Sequence, residues 1–140
     1  PRFADWPEIT PEYTYQKGTR FDFKLSRGDG DDMMVEVKNV HLARPDGPNP
    51  GAMEFPDSVT ARGAKHLNIL AKIAADGGKA AMLYVIQRGD GDRFTLAADI
   101  DPVYAEAFRQ AQEAGVVLEA RESAITLNEI RSSSPMPVVL

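Results

Sequence analysis

The sequence predicts an α/β domain with a mixed central β-sheet flanked by helices. Three observations carry that reading. Two runs of alternating apolar and polar residues, Thr19–Leu25 and Met34–Leu42, flank the Gly- and Asp-rich stretch Ser26–Asp32, as strands of an antiparallel hairpin do. The run Lys79–Gln87 is apolar nearly throughout, the pattern of a central strand covered on both faces. Two segments with helical periodicity, opening near Asp57 and at Pro102, carry matching start and stop signals.

Along the chain, Pro1–Pro11 holds three prolines and no clear period, and reads as an extended lead-in. Tyr13–Gln16 is a short strand joined by Lys17-Gly18 to the hairpin. Arg44–Glu54, with Pro45, Pro48, Pro50, Gly47 and Gly51, reads as a mobile loop. Asp57 or Ser58 is placed to cap the first helix, whose apolar stripe is Val59, Ala64, Leu67, Leu70, Ile73 and Ala74. Asp76-Gly77-Gly78 stops it. Phe94–Ala97 is a short strand, and Asp101-Pro102 sets a cap before a first-turn proline. The second helix runs to about Ala114, and Gly115 ends it before the strand Val116–Ala120. Pro137–Leu140 is a weak edge strand, an edge open to pairing with a second copy in a homodimer. Arg-Gly-Asp-Gly-Asp occurs at Arg27–Asp31 and Arg88–Asp92 with nothing shared on either side, as turn chemistry recurring by coincidence.

The hairpin also carries the chemistry. Side chains alternate along a strand, so Glu36 and Lys38 project from one face and Val35 and Val37 from the other. In the first strand Phe21, Phe23 and Leu25 share one face, with Arg20, Asp22 and Lys24 opposite. If Asp22 lies across from Glu36 or Lys38, two carboxylates and an ammonium meet. That is the minimum kit for holding a divalent metal and activating a water against a phosphodiester. From Glu36-Val37-Lys38 alone, a wet hairpin face with modest ion pairs is the commoner outcome.

Bulk properties bound the rest. A chain of 140 residues with 43% hydrophobic and 26% charged residues is that of one globular domain with a real core. No apolar run approaches the roughly 20 residues of a membrane helix, and nothing resembles a signal peptide, so a cytoplasmic location is the default. The absence of cysteine excludes disulfides and thiolate metal sites. With only His41 and His66 as imidazoles, a zinc centre has little to build on. The net charge of −5 counts against a protein that coats nucleic acid, so the placing of the basic residues matters.

Several stretches resemble a known family. Val35–Leu42 (VEVKNVHL) and Phe55–Leu67 (FPDSVTARGAKHL) look like signature segments of the sugar fermentation stimulation protein (SfsA) family. Collinear similarity continues through Asp101–Ala105, Ala111–Val116 and Met136–Leu140. Full-length members carry an N-terminal OB-fold-like region, so the resemblance implies that residues 1–140 are one C-terminal domain, similar to the PD-(D/E)xK nuclease superfamily. Carried over, Asp22 matches the superfamily aspartate, Glu36 the second acid and Lys38 the lysine. Glu12 matches an upstream glutamate if one residue is missing from Tyr15–Gly18. Thr19–Asp22 matches a Ser-Arg-hydrophobic-Asp segment, and His41 departs from a usual threonine.

The resemblance implies a DNA-binding protein with a Mg²⁺- or Mn²⁺-dependent nuclease site, or else a regulator of sugar-metabolism genes that binds DNA without cutting it. In the first case Asp22, Glu36 and the Val37 carbonyl hold the metal, Glu12 assists, and Lys38 acts on the attacking water or the phosphate. Arg20, Arg62, Lys65 and His66 are then the side chains that grip flanking DNA phosphates, His66 serving as a phosphate or carboxylate partner rather than a metal ligand.

Overall fold

The computed structural model describes residues 3–140, so Pro1 and Arg2 of the lead-in lie outside the described residues. The elements in order are β1 (Glu8–Gln16), β2 (Thr19–Ser26), β3 (Asp32–Val40), β4 (Ala52–Phe55), α1 (Ala61–Ala75), β5 (Lys79–Ile86), β6 (Arg93–Leu96), α2 (Pro102–Glu113), β7 (Val117–Ile125) and β8 (Ile130–Met136). Six strands form one sheet in the order β1-β2-β3-β5-β7-β8, and β4 and β6 form a small parallel pair. The sheet is mixed: β1-β2-β3 is an antiparallel meander, β3, β5 and β7 run parallel, and β8 returns antiparallel.

Both parallel steps, β3-α1-β5 and β5-α2-β7, cross the sheet in one direction. Crossovers of one hand therefore deliver both helices to one face. That face holds the main core, where Leu67 and Leu70 of α1 and Tyr104, Phe108 and Ala111 of α2 pack on Met34, Val40, Met82, Tyr84 and Ile86. The expectation that Lys79–Gln87 is covered on both faces is thereby corrected. On the far face only a smaller cluster forms, around Trp6, Leu25, Met33, Val35 and Ala81, and Leu83 and Val85 stay partly exposed. Trp6 closes part of this face beneath the Arg27 guanidinium, 4.2 Å from its ring centroid.

Three local expectations shift for physical reasons. Strand β1 begins at Glu8 and runs through Pro11, which an edge strand tolerates because it need not donate on its open side. Helix α1 begins at Ala61 with Thr60 as its cap, accepting the Gly63 amide at 3.1 Å, and not with Asp57 or Ser58. The carboxylate of Asp101 decides this. Its Oδ2 accepts the Thr60 amide at 2.8 Å while Oδ1 caps α2 on the Tyr104 amide at 2.9 Å, so one buried side chain sets the start of both helices. Near the C terminus the edge strand is β8, upstream of the expected segment. Pro137 and Val139 still exchange backbone hydrogen bonds with Phe94, at 2.8 and 2.9 Å.

The loop from Arg44 to Glu54 is pinned rather than mobile. Glu54, in β4 and fully buried, accepts from Arg44 Nε at 2.7 Å, Arg44 Nη2 at 2.7 Å and Asn49 Nδ2 at 2.8 Å. The same guanidinium donates to both oxygens of Asp99, at 2.7 and 2.8 Å. Arg44 thus ties the loop to β4 and to the approach to α2.

Gly63 sits where α1 crosses α2. A methyl group there would stand 2.9 Å from Thr60 Cγ2 and 3.0 Å from Tyr104 Cε2. Gly63→Ala is therefore expected to cost about 1 kcal/mol net, overpacking outweighing the better helix propensity of alanine. A lowered urea midpoint would show it; a raised midpoint would refute the close-packing argument.

Candidate active site and its cationic cleft

The β2–β3 ladder sets the register of the acids. Its pairs run Ser26↔Asp32, Leu25↔Met33, Lys24↔Met34 and Phe23↔Val35, so one further step brings Asp22 alongside Glu36. The ladder ends there. In its place the Asp22 carboxylate reaches across and accepts the Val37 amide at 2.7 Å. The strands separate beyond Asp22, and the opening exposes its carboxylate beside β3.

The cause lies in β1 and β2 together. Pairing lapses between Pro11↔Phe23 and Tyr13↔Phe21, and Glu12 there adopts φ +51°. Phe21 and Phe23 should share a face by alternation, yet Phe21 enters the helix-side core and Phe23 the far-side cluster. The strand turns over at Asp22. The alternation predicted across Thr19–Leu25 therefore fails at this one residue. Glu12, across from Asp22 in register, sends its carboxylate to Arg20 Nη1 at 3.3 Å and not toward Glu36.

Glu36, Lys38 and His66 meet as expected for residues on the helix side of β3 and the inner face of α1. Glu36 is 4% exposed, and its Oε1 takes Lys38 Nζ at 2.7 Å and His66 Nδ1 at 2.6 Å. Phe21 seats the imidazole edge-on, with ring centroids 5.9 Å apart. The other oxygen, Glu36 Oε2, is buried with no hydrogen-bond partner. Behind them Tyr84 and Tyr104 share a 2.6 Å hydroxyl contact, and burial pushes both phenols up, so both stay neutral.

This donor set suits a hard divalent cation. A buried carboxylate oxygen without a partner is costly unless something positive meets it, and an exposed carboxylate stands on the next strand. Among the described residues no three His, Cys, Asp or Glu side chains converge. The groups that could hold Mg²⁺ or Mn²⁺ retaining several waters are thus the carboxylates of Asp22 and Glu36 with the Val37 carbonyl. Glu12 is outside that contact set.

Beside the acids lies a cleft of about 620 Å³ between the β1–β2 turn and the start of α1. Arg20, Arg62, Lys65 and His66 all line it, so the four side chains assigned to phosphate gripping do come together. His66 forms its inner wall and is buried, whereas Arg62 and Lys65 are exposed. Sequence reasoning missed Thr19, which also lines the cleft and is 3% exposed. Lys17, read in the sequence as part of the Lys17-Gly18 turn, stands between the cleft-lining Gln16 and Gly18. No helix among the described residues is long and apolar enough to cross a membrane.

Comparison with known proteins gives the family and the fold. The family model described as the sugar fermentation stimulation protein RE domain matches residues 1–129. A sugar fermentation stimulation protein homolog from Ruegeria pomeroyi is 54% identical over 83% of this chain and 49% of its own length. The homolog from Jannaschia sp. is 48% identical over 95% of this chain and 54% of its own length. The chain thus spans about half the length of the curated relatives it matches. The solved structure of Pyrococcus furiosus SfsA in complex with Ca²⁺ aligns with a TM-score of 0.82 at 26% identity, covering 94% of this chain and 55% of that one. With a family model matched along most of its length and close relatives at this level of identity, the chain belongs to the sugar fermentation stimulation protein family.

Proposed function

We propose that this domain is a metal-dependent nuclease of the PD-(D/E)xK kind, hydrolysing phosphodiester bonds in DNA. The observation that carries the reading is Glu36: a buried carboxylate with one oxygen held by Lys38 and His66 and the other without a partner, next to a strand opening that presents Asp22. Asp22, Glu36 and the Val37 carbonyl would hold Mg²⁺ or Mn²⁺, which when bound supplies Lewis acidity and a more acidic water. Ca²⁺ in the Pyrococcus furiosus relative supports this, being another oxygen-seeking divalent ion.

The chain's own groups have separate tasks. Lys38, fixed on Glu36 Oε1, brings a positive charge to the attacking water and to the phosphoryl oxygens as negative charge grows on them. His66 holds the same oxygen from the opposite element and so fixes the orientation of Glu36. Asp22, anchored on the Val37 amide by one oxygen, keeps the other for the ion. Arg20, Arg62 and Lys65 hold neighbouring phosphates of the DNA.

A second reading is a DNA-binding regulator of sugar-metabolism genes that does not cut. The observation favouring it is that Glu12 is engaged by Arg20, leaving two acids where many hydrolytic sites gather three. One experiment separates them. The intact protein and its Asp22→Ala and Lys38→Ala variants are incubated with single- and double-stranded DNA in Mg²⁺, Mn²⁺ or EDTA. Metal-dependent cleavage by wild type, lowered at least about 10³-fold in each variant, is expected. Binding without cleavage under either metal would leave the regulator reading; cleavage that survives Asp22→Ala would mark a contaminant.

A further inference from the structure

We propose that the cleft between the β1–β2 turn and the start of α1 binds a phosphomonoester, the terminal phosphate of a nucleic-acid strand. Charge pairing across the molecule points to it. Nearly every described lysine and arginine has a carboxylate within 4.0 Å; the only ones that do not are Lys17, Arg62 and Lys65. Arg62 and Lys65 line this cleft, and Lys17 stands between Gln16 and Gly18, which also line it. In a chain of net charge −5, the unmatched lysines and arginines among the described residues are gathered at one place.

A second observation is independent of charge. The Thr19 hydroxyl, in the same cleft wall, is buried and has no hydrogen-bond partner among the described residues. A buried hydroxyl without an acceptor is costly, and a phosphate oxygen would supply one. Ala61 and Arg62, the first residues of α1, line the same cleft, and the unpaired first-turn amides of a helix favour an anion near its start.

The amount and shape of the charge name the ligand. An internal phosphodiester carries one negative charge, whereas a terminal phosphate carries about 1.5 to 2 and three acceptor oxygens. Unmatched cations concentrated in one cleft, with an orphan hydroxyl, suit the second. A duplex backbone would instead call for a basic track across the surface, and elsewhere the described basic side chains are matched by carboxylates. The site's place then limits the product. His66 is at once the inner wall of the cleft and the donor to Glu36, so a strand end seated here puts its first linkages beside the acids. That consequence rests on the nuclease reading; the binding site itself does not.

The test measures binding of short labelled single strands that differ only in carrying a 5′-phosphate, a 3′-phosphate or neither. Fluorescence anisotropy is read on the intact protein in EDTA, where no cleavage interferes. One of the phosphorylated strands is expected to bind at least about tenfold more tightly than the unphosphorylated one. Arg62→Ala and Lys65→Ala should each remove most of that preference. Thr19→Val should reduce it while leaving the unfolding midpoint unchanged or higher, because the lost hydroxyl has no partner to miss. Equal affinity for all three strands overturns the proposal. Displacement of the phosphorylated strand by inorganic phosphate or a nucleoside monophosphate at matched concentration overturns the strand-end assignment. A preference that persists in Asp22→Ala, in protein that cuts nothing, upholds the subsite even where the nuclease reading has failed.

Discussion

Glu36→Gln should abolish metal-dependent cleavage while leaving the domain folded. The substitution keeps the shape of the side chain and an oxygen for Lys38 and His66, the two donors now at 2.7 and 2.6 Å. It replaces Oε2, the buried oxygen without a partner, by an amide nitrogen that can only donate. A cation cannot be held there, so the rate should fall by about 10³-fold or more, the loss of several kcal/mol of charge stabilisation. A second measurement does not depend on activity. Added Ca²⁺ or Mn²⁺ should raise the thermal midpoint of wild type, since an ion that binds only the folded state stabilises it. The variant should show no such rise. Wild-type cleavage or an undiminished metal shift in Glu36→Gln would place the ion elsewhere.

What the sequence made legible here is instructive by residue. Glu36 and Lys38 follow from alternation in a strand whose central part is regular, and the structure keeps them on one face with α1 closing over them. The mixed sheet and its helices follow from the hairpin, the apolar run of β5 and the Asp101-Pro102 cap. Asp22 was legible as a residue but not as a geometry. Its carboxylate stands exposed beside β3 because β2 turns over there, with Glu12 opposite in a left-handed conformation, and neither event leaves a glycine or proline to announce it at that position. The cap of α1 failed for another reason. Asp57 and Ser58 have the right chemistry, but a carboxylate forty-one residues away at Asp101 takes the Thr60 amide and moves the start. Short strand β4 was hidden because its partners, β6 in parallel pairing and Arg44 on the buried Glu54, are ones that no local pattern reveals.

Arg44→Ala should be the most destabilising single substitution outside the hydrophobic core, at about 3–5 kcal/mol. The reason is asymmetric. Glu54 has no solvent exposure at its side chain, and Arg44 supplies two of its three hydrogen bonds, leaving only Asn49 if the guanidinium is removed. A buried charge without its partner costs far more than the pair contributes over an apolar substitute. The pH dependence follows from the same contact. The Arg44 guanidinium, with help from Asn49, holds the Glu54 carboxyl below its usual range against the opposing effect of burial, and it lowers Asp99 likewise. A carboxyl lowered in the folded state binds protons more readily when unfolded, so its stabilisation is complete above the ordinary carboxylate pKa and is lost as pH falls through the folded value. Wild type should therefore lose stability on acidification below about pH 5. In Arg44→Ala the burial effect is left unopposed, so Glu54 should take up its proton at a higher pH and relieve the buried charge. The gap between the two proteins in urea midpoint should accordingly be widest near neutrality and narrow toward pH 4, on the scale of the carboxylate titration. A gap that is constant across this range would mean that Arg44 acts through packing of its stem and not through the charge on Glu54.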